Sequence, residues 1–281
     1  MAGATDALGR LEAQVARLAA GEPAELEVVG WGDVSVVLGV GTEVAKRLPP
    51  MTTTAYARYR GVLDDYLAAL TARGVTPAPC RLARIPSPLG GEATYLLQPR
   101  YPTILADLLD ALSAAEATPW FETIGRHLAA VVDARVGLDA QAANWAVADG
   151  RLVYLDVTTP LLRDPTGRDR LDLEVFLASV PAVVRPAVRR FALPDILATY
   201  HDPHRVGVDV VADLLRRGLD RLVPHAVDAL ARTAVEVTLE EARRYLRRAE
   251  RTWATLHRLR RLEAAWHRRV RRRPSPFLLP P

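Results

Sequence analysis

The chain has 281 residues, of which 49% are hydrophobic and 25% charged, enough for one large domain or two lobes around a well-filled core. The absence of a run of about eighteen apolar residues argues against a membrane span, and the single cysteine, Cys80, argues against a disulfide-bonded secreted domain. The net charge is only +4, yet residues 240–273 alone carry +9, so the basic character belongs to the C-terminal tail. Because the N-terminus shows no secretory leader pattern, the expected location is the cytoplasm.

The first predicted element is an amphipathic helix over residues 5–20, whose apolar residues recur every three or four positions. An antiparallel meander follows, with glycine-containing turns between strands at 28–29, 35–40 and 43–48. A second amphipathic helix covers 54–73, and two more short strands follow it, at 80–84 and 93–98. This order of elements predicts a small antiparallel β lobe.

The rest of the chain is predicted to be mainly helical. Helical periodicity covers residues 104–112, 120–134, 171–177, 186–200, 208–219 and 239–269. One hairpin with an Asp149–Gly150 turn interrupts these helices. The predicted fold class is therefore α+β and bilobal, with a larger, mainly helical lobe. The expected division is an N-terminal helix over 1–22, a β-rich lobe over 23–99, and a helical lobe with a basic C-terminal helix over 100–281.

Two residue types occur once each. Lys46 is the only lysine among 37 lysines and arginines, and Asn144 is the only asparagine. The bias is typical of a genome rich in G and C, which replaces lysine by arginine. A retained lysine indicates a chemical need, because the planar guanidinium cannot reproduce a compact ammonium charge.

A glycine turn lies one strand before this lysine. Gly30 and Gly32 occupy the strand–turn–strand, with Ser35 and Val37 just beyond. A hairpin tip of small residues lets backbone N–H groups approach phosphate oxygens without a Cβ in the way. A glycine pair between strands is more often an ordinary hairpin, so the phosphate-binding interpretation depends on Lys46 following in the next strand.

Three further polar residues lie around the predicted hairpin. Asp139 precedes Asn144 by five positions, and Asp156 follows it by twelve, across the hairpin. This spacing can bring one carboxylate to an acceptor hydroxyl while Asn144 and Asp156 converge as hard oxygen ligands for Mg²⁺. The alternative interpretation is three unrelated polar residues in loops.

In order and spacing, these motifs resemble those of the protein-kinase-like superfamily: a glycine-rich loop, a strand lysine, an Asp-x-x-x-x-Asn loop and a metal-binding aspartate. The resemblance covers about residues 28–177 and is nearest to small-molecule phosphotransferases related to the aminoglycoside and choline enzymes. It implies an ATP- and Mg²⁺-dependent kinase acting on a hydroxyl of a small molecule.

The resemblance also implies a role for each position. Asp139 and Lys46 would be catalytic, and Asn144 and Asp156 would hold Mg²⁺. The residues that would contact ATP, from the phosphates to the adenine and its hinge, are Gly30, Gly32, Ser35, Val37, Lys46, Gln98 and Arg100.

The sequence departs from the family pattern at several positions. Gly137-Leu138 replaces the usual His-Arg or His-Gly before Asp139, Gln141 replaces a basic residue, and Val157-Thr158 replaces Phe-Gly. No glutamate is available to pair with Lys46 on the helix over 54–73, where Asp64 or Asp65 is the nearest candidate. These departures leave open a pseudokinase or nucleotide-binding regulatory module.

The acceptor is predicted from the segment after Asp156. Only 16 positions separate Asp156 from Asp172, and no Ala-Pro-Glu occurs there, which favours a small molecule over a peptide. A protein kinase without a regulated activation segment is the alternative. In the basic tail, apolar residues at helical intervals predict a helix docked on the large lobe rather than a nucleic-acid surface. The oligomeric state is left open.

Overall fold

The computed structural model describes residues 2–31, 36–172, 177 and 185–249. The β strands of the first half are β1 (Val28–Trp31), β2 (Val36–Val40), β3 (Glu43–Arg47), β4 (Arg81–Pro86) and β5 (Glu92–Pro99). Within the described residues they form a five-stranded antiparallel sheet in the order β1-β2-β3-β5-β4. The predicted meander and the two later strands are confirmed to within about two residues at each end.

Helix α1 (Ala2–Ala20) covers one face of this sheet. Its apolar stripe and the sheet residues beneath it form one hydrophobic cluster, which includes Leu8, Leu11, Val15, Val36, Leu38, Ala45, Tyr95 and Leu97. The helix also carries Glu12, which is completely buried and binds Arg47 of β3 through two hydrogen bonds of 2.8 and 2.9 Å. The predicted N-terminal helix therefore shares its core with the sheet.

Helix α2 (Thr53–Ala72) connects the sheet to the helical part. It begins where the Thr52 side chain accepts the Ala55 N–H and ends before Gly74, whose φ is +83°. Its buried face carries Tyr59, Val62, Leu63, Tyr66 and Leu70. These side chains belong to the same core as Leu96 of β5 and Phe121 of the helical part, so one continuous core joins the two.

The helical part contains a single described hairpin. Its main elements are α3 (Leu105–Ala111), α4 (Ala114–Val131), β6 (Trp145–Ala148), β7 (Arg151–Tyr154), α5 (Leu193–Tyr200), α6 (Pro203–Arg216) and α7 (Val223–Arg232). Shorter helical turns cover Ala142–Asn144, Arg185–Ala187, Val188–Ala192 and Asp220–Leu222, and residues 239–249 are helical. The α+β class, with a small antiparallel sheet and a helical part, is confirmed.

The structure corrects some predicted boundaries. Helix α4 begins at residue 114 rather than 120, because Ser113 and Glu116 form a capping box upstream of Pro119. Helix α7 was not predicted, since alanines occupy much of its buried face and weaken the apolar pattern. Residues 171 and 172 are not helical, and the remainder of that predicted helix lies mostly outside the described residues, as does the predicted tail helix beyond residue 249.

Among the described residues, no helix is both long enough and apolar enough to cross a membrane.

Candidate active site between the sheet and the β6–β7 hairpin

Three predicted site residues lie in one row across the sheet, on the face opposite α1. Gly30 lies opposite Val37, and Val37 lies opposite Lys46. Directly opposed residues of neighbouring strands project from the same face, whereas the adjacent Ala45 packs under α1. The register depends on the β2–β3 turn at Gly41, whose φ of +61° is seldom adopted by residues with a Cβ. A glycine, a valine and a lysine therefore lie side by side.

Lys46 reaches from β3 to the segment that follows β7. Its Nζ donates a hydrogen bond to the Leu155 carbonyl at 2.9 Å and lies 3.6 Å from Oδ1 of Asp156. The lysine side chain is only 10% exposed, so solvent screens this ion pair weakly. Gln98 of β5 donates to the same Leu155 carbonyl, with 3.0 Å between Nε2 and the oxygen. The fold thus brings together Lys46 and Asp156, which are remote in sequence.

Asp156 is held by a threonine, which a buried tyrosine holds in turn. The Thr158 hydroxyl donates to Oδ1 of Asp156 at 2.7 Å, and the Thr158 carbonyl accepts from the Tyr59 hydroxyl at 2.9 Å. Burial raises the pKa of Tyr59, and the nearby charge of Asp156 raises it further, so the hydroxyl remains a donor. Thr158 is therefore an anchor for Asp156.

The sequence predicts that Asp64 or Asp65 of α2 pairs with Lys46, and for Asp65 this prediction is wrong. This residue pairs with Arg170, with 2.6 Å between Oδ2 and Nη2. Asp65 and the adjacent Asp64 are both exposed, because both lie off the buried face of α2. The ion pair of Lys46 within the described residues is the one with Asp156.

Buried aromatic side chains hold the loop that carries Asp139. The Tyr66 hydroxyl donates to the Gly137 carbonyl at 3.0 Å, and the Tyr154 hydroxyl accepts the Asp139 N–H at 3.3 Å. The indole N–H of Trp145 donates to a carbonyl of the same loop, that of Ala140, at 3.2 Å. These three rings are fully buried, so the loop backbone is positioned from the core.

Asn144 connects this loop to Asp156. Its amide Nδ2 donates to the Asp139 carbonyl at 3.3 Å, and its own carbonyl accepts the Leu155 N–H at 2.8 Å. Leu155 is also the acceptor for Lys46. One continuous set of hydrogen bonds and contacts therefore joins the four residues Lys46, Asp139, Asn144 and Asp156.

Gly137 lies where the loop passes too close to its neighbours for a side chain. A Cβ would lie 2.9 Å from the Tyr200 carbonyl oxygen and 3.0 Å from Cβ of Leu161. We expect Gly137→Ala to lower the free energy of unfolding by about 1–3 kcal/mol, because overpacking must push the backbone apart. Gly61→Ala on α2 is the control: its Cβ would meet nothing within 4 Å, and alanine should stabilise the helix by up to about 1 kcal/mol. Urea unfolding measures the free energy of unfolding of both variants. A value for Gly137→Ala equal to that of the wild type would contradict the packing argument.

The two predicted metal ligands fit Mg²⁺. Mg²⁺ in phosphate-transfer sites typically takes one or two protein oxygens and fills its shell with water and substrate phosphates. Asn144 and Asp156 offer one amide oxygen and one carboxylate, and their backbones are close because the Asn144 main-chain carbonyl accepts the N–H of Leu155, the residue before Asp156. No group of three or more histidine, cysteine, aspartate or glutamate side chains suited to a metal occurs in the part of the chain that the structure describes. An amide oxygen and a carboxylate are among the oxygen ligands that Mg²⁺ takes in proteins.

Two predicted ATP contacts are engaged within the protein. The Gln98 side chain bonds to Leu155, and the Arg100 guanidinium pairs with Glu27 at 2.6 Å. The Arg100 N–H also donates to the Thr42 carbonyl at 3.0 Å. To contact the adenine edge of ATP, as predicted, these two side chains would have to leave their present partners. Predicted residues Gly32 and Ser35 lie outside the described residues.

Asp209 is a buried carboxyl that the sequence did not single out. It lies on α6, is 3% exposed, and accepts a hydrogen bond of 2.8 Å from Nε2 of Gln141 in the Asp139 loop. Burial raises its pKa to about 6, although the Gln141 bond acts in the opposite direction. No local pattern relates residues so far apart in the chain, so only the fold could reveal this contact.

Comparisons with known proteins place the chain in a family without assigning an activity. No curated protein matches the sequence. A family model matches residues 11–264, which include every site residue discussed above. On that match, the chain belongs to DUF6206, a family described as being of unknown function.

Proposed function

We propose that the chain is an ATP- and Mg²⁺-dependent phosphotransferase of the protein-kinase-like fold, acting on a hydroxyl of a small molecule. The observation that carries the proposal is the convergence of four residues predicted from sequence. Lys46 lies 3.6 Å from Asp156, and hydrogen bonds connect Lys46 through Leu155 and Asn144 to Asp139. The only lysine and the only asparagine of the chain both take part in this set of contacts, which supports the proposal.

Each residue has a distinct task in the proposed reaction. The Lys46 ammonium, now beside Asp156, would neutralise charge on the ATP phosphates. Asn144 and Asp156 would hold Mg²⁺, which when bound supplies positive charge to the phosphates. Asp139 would accept or orient the proton of the acceptor hydroxyl. Phosphoryl transfer asks mainly for positioning and charge neutralisation, which these residues can provide.

The segment after Asp156 supports a small acceptor. Leu162 forms a β-bridge with Val136, and the Leu161 carbonyl accepts the Gly137 N–H at 2.8 Å. Arg163 then pairs with Asp169 at 3.0 Å across a short turn. The segment therefore folds back on the Asp139 loop, an arrangement that favours a small molecule over an extended peptide.

Thermal denaturation with Mg·ATP tests nucleotide binding. ATP at about 100 times its Kd should stabilise the wild type by about 2.7 kcal/mol, or about 5–10 °C for a chain of this size. Lys46→Ala and Asp156→Ala should each lose most of this shift, and removal of Mg²⁺ with EDTA should do the same. Arg81→Ala, on β4 and paired with Glu43 at the surface, should retain it.

The outcomes separate the alternatives. No stabilisation of the wild type by Mg·ATP would rule out the proposed function. Stabilisation that depends on Lys46 and Asp156, but without ADP formation against a panel of alcohols, amino alcohols and sugars, would support the nucleotide-binding regulatory module instead.

A further inference from the structure

Asp209 and Gln141 connect a buried helix to the Asp139 loop. Oδ2 of Asp209 accepts from Nε2 of Gln141 at 2.8 Å, and the Gln141 N–H donates to Oδ1 of Asp139 at 3.3 Å. The Asp209 carboxyl also bonds to Tyr245 in the helix at 239–249. Three segments remote in sequence thus meet at one carboxyl group.

A purely stabilising role does not explain a carboxyl at this position. The groups around Asp209 include Asp213 and Arg216 of its own helix, Gln141 of the loop and Tyr245 of the last described helix. Burial is the largest influence and disfavours the charged form of Asp209, while the Gln141 bond and the Arg216 charge favour that form and Asp213 adds a smaller repulsion. A buried carboxylate of this kind is an energetic cost to the fold, which points to a role in the site.

We propose that Asp209 is a positioning residue, which orients the Asp139 carboxylate for phosphoryl transfer by holding Gln141. The inference rests on the proposed function. Asp209 itself would touch neither ATP nor the acceptor. Its contact restrains the Gln141 side chain, and the Gln141 backbone N–H in turn restrains Oδ1 of Asp139. Small displacements of a reacting group are costly, since a misplacement of about 1 Å can lower a rate about 100-fold.

An exchange of donor and acceptor tests the inference. Gln141→Glu places two carboxyl groups at the 2.8 Å contact, so the loop should shift. Adding Asp209→Asn to this variant restores one donor and one acceptor in swapped positions. We expect Gln141→Glu to lower kcat for ADP release from Mg·ATP about 10- to 100-fold, with KM for ATP nearly unchanged, and the double variant to recover most of the loss.

Asp213→Asn is the matched control. Asp213 lies one turn further along α6 and is equally buried, but its partners Arg216 and Arg217 are on the same helix. This variant should leave kcat within about twofold of the wild type. Circular dichroism confirms that each variant is folded at the assay temperature.

Two results would overturn the inference, and they are distinguishable. If the wild type binds and turns over Mg·ATP but Gln141→Glu leaves kcat unchanged, or the double variant shows no recovery, Asp209 is not a positioning residue while the proposed function stands. If the wild type neither binds nor turns over Mg·ATP, the proposed function fails and the role of Asp209 in transfer fails with it.

Discussion

Asp139→Asn is expected to lower the rate of phosphoryl transfer by about 100- to 10,000-fold, while the Kd for Mg·ATP stays within about twofold. The carboxylate can accept the acceptor's proton, whereas an amide cannot do so at neutral pH. The loop should keep its shape, because the Asp139 backbone makes contacts of its own and the side-chain oxygen of an asparagine can still accept the Gln141 N–H. The Asp139 N–H donates to Tyr154 and its carbonyl accepts from Asn144, each at 3.3 Å.

Asp149→Asn is the control for this substitution. Asp149 lies in the β6–β7 turn with a φ of +50°, a conformation that asparagine adopts as readily as aspartate. It should retain full transfer. ADP formation against the acceptor panel and calorimetric titration of Mg·ATP measure the two effects separately. Full transfer by Asp139→Asn would exclude Asp139 as the proton acceptor, and loss of ATP binding would assign it a structural role.

Glu12→Ala is expected to lower the free energy of unfolding by about 3–5 kcal/mol, because it leaves Arg47 buried without its counter-charge. Glu12 is fully buried, and the Arg47 side chain is 11% exposed. Ser87 and Tyr95 also donate hydrogen bonds to the Glu12 carboxylate. The loss would loosen α1 from β3, the strand that carries Lys46.

Asp6→Ala provides the contrast on the same helix. Asp6 pairs with Arg10 at the surface, where both side chains are more than two-thirds exposed, 70% and 68%. Such pairs contribute at most about 1 kcal/mol, so this variant should be close to the wild type. Urea unfolding measures both variants, and equal stabilities would show that the Glu12–Arg47 pair is not a support of the fold.

The Glu12 network should also make stability depend on pH. Burial by itself would raise the pKa of Glu12, but hydrogen bonds from Arg47, Ser87 and Tyr95 outweigh it and hold the pKa below its ordinary 4.5. Because the folded-state pKa is the lower one, the stabilisation is complete above the unfolded-state value and is lost as the pH falls through the folded-state value. The stability difference between wild type and Glu12→Gln should therefore shrink as the pH falls below 4.5, in unfolding curves recorded between pH 7 and pH 3.

Local pattern was sufficient where an element has a strong period and clear ends. The β-rich runs between glycine turns predicted all five described strands of the sheet, and the Asp149–Gly150 turn predicted the hairpin. The apolar pattern does not predict helix α7, because alanine contributes little to an apolar period. It predicts too late a start for α4, because the capping box of that helix lies upstream of a proline. These errors lie away from the candidate site.

The contacts that hold the site came from the tertiary structure. Tyr59 reaches Asp156 through Thr158, and Asp209 reaches Asp139 through Gln141. The prediction that an α2 carboxylate pairs with Lys46 is wrong for Asp65, because Asp65 lies off the buried face of the helix and pairs with Arg170. Each contact joins residues far apart in the chain, and a periodic pattern carries no information about which distant side chains meet.

The sequence by itself determined the α+β class and the order of strands and helices, because periodicity and turn signals are local. Residue usage and spacing also identified the four candidate site residues, Lys46, Asp139, Asn144 and Asp156. Only the tertiary structure decided that these four residues converge, that α1 shares the core of the sheet, and that Asp209 lies beneath the Asp139 loop. Long-range packing and hydrogen bonding of buried groups decide such contacts.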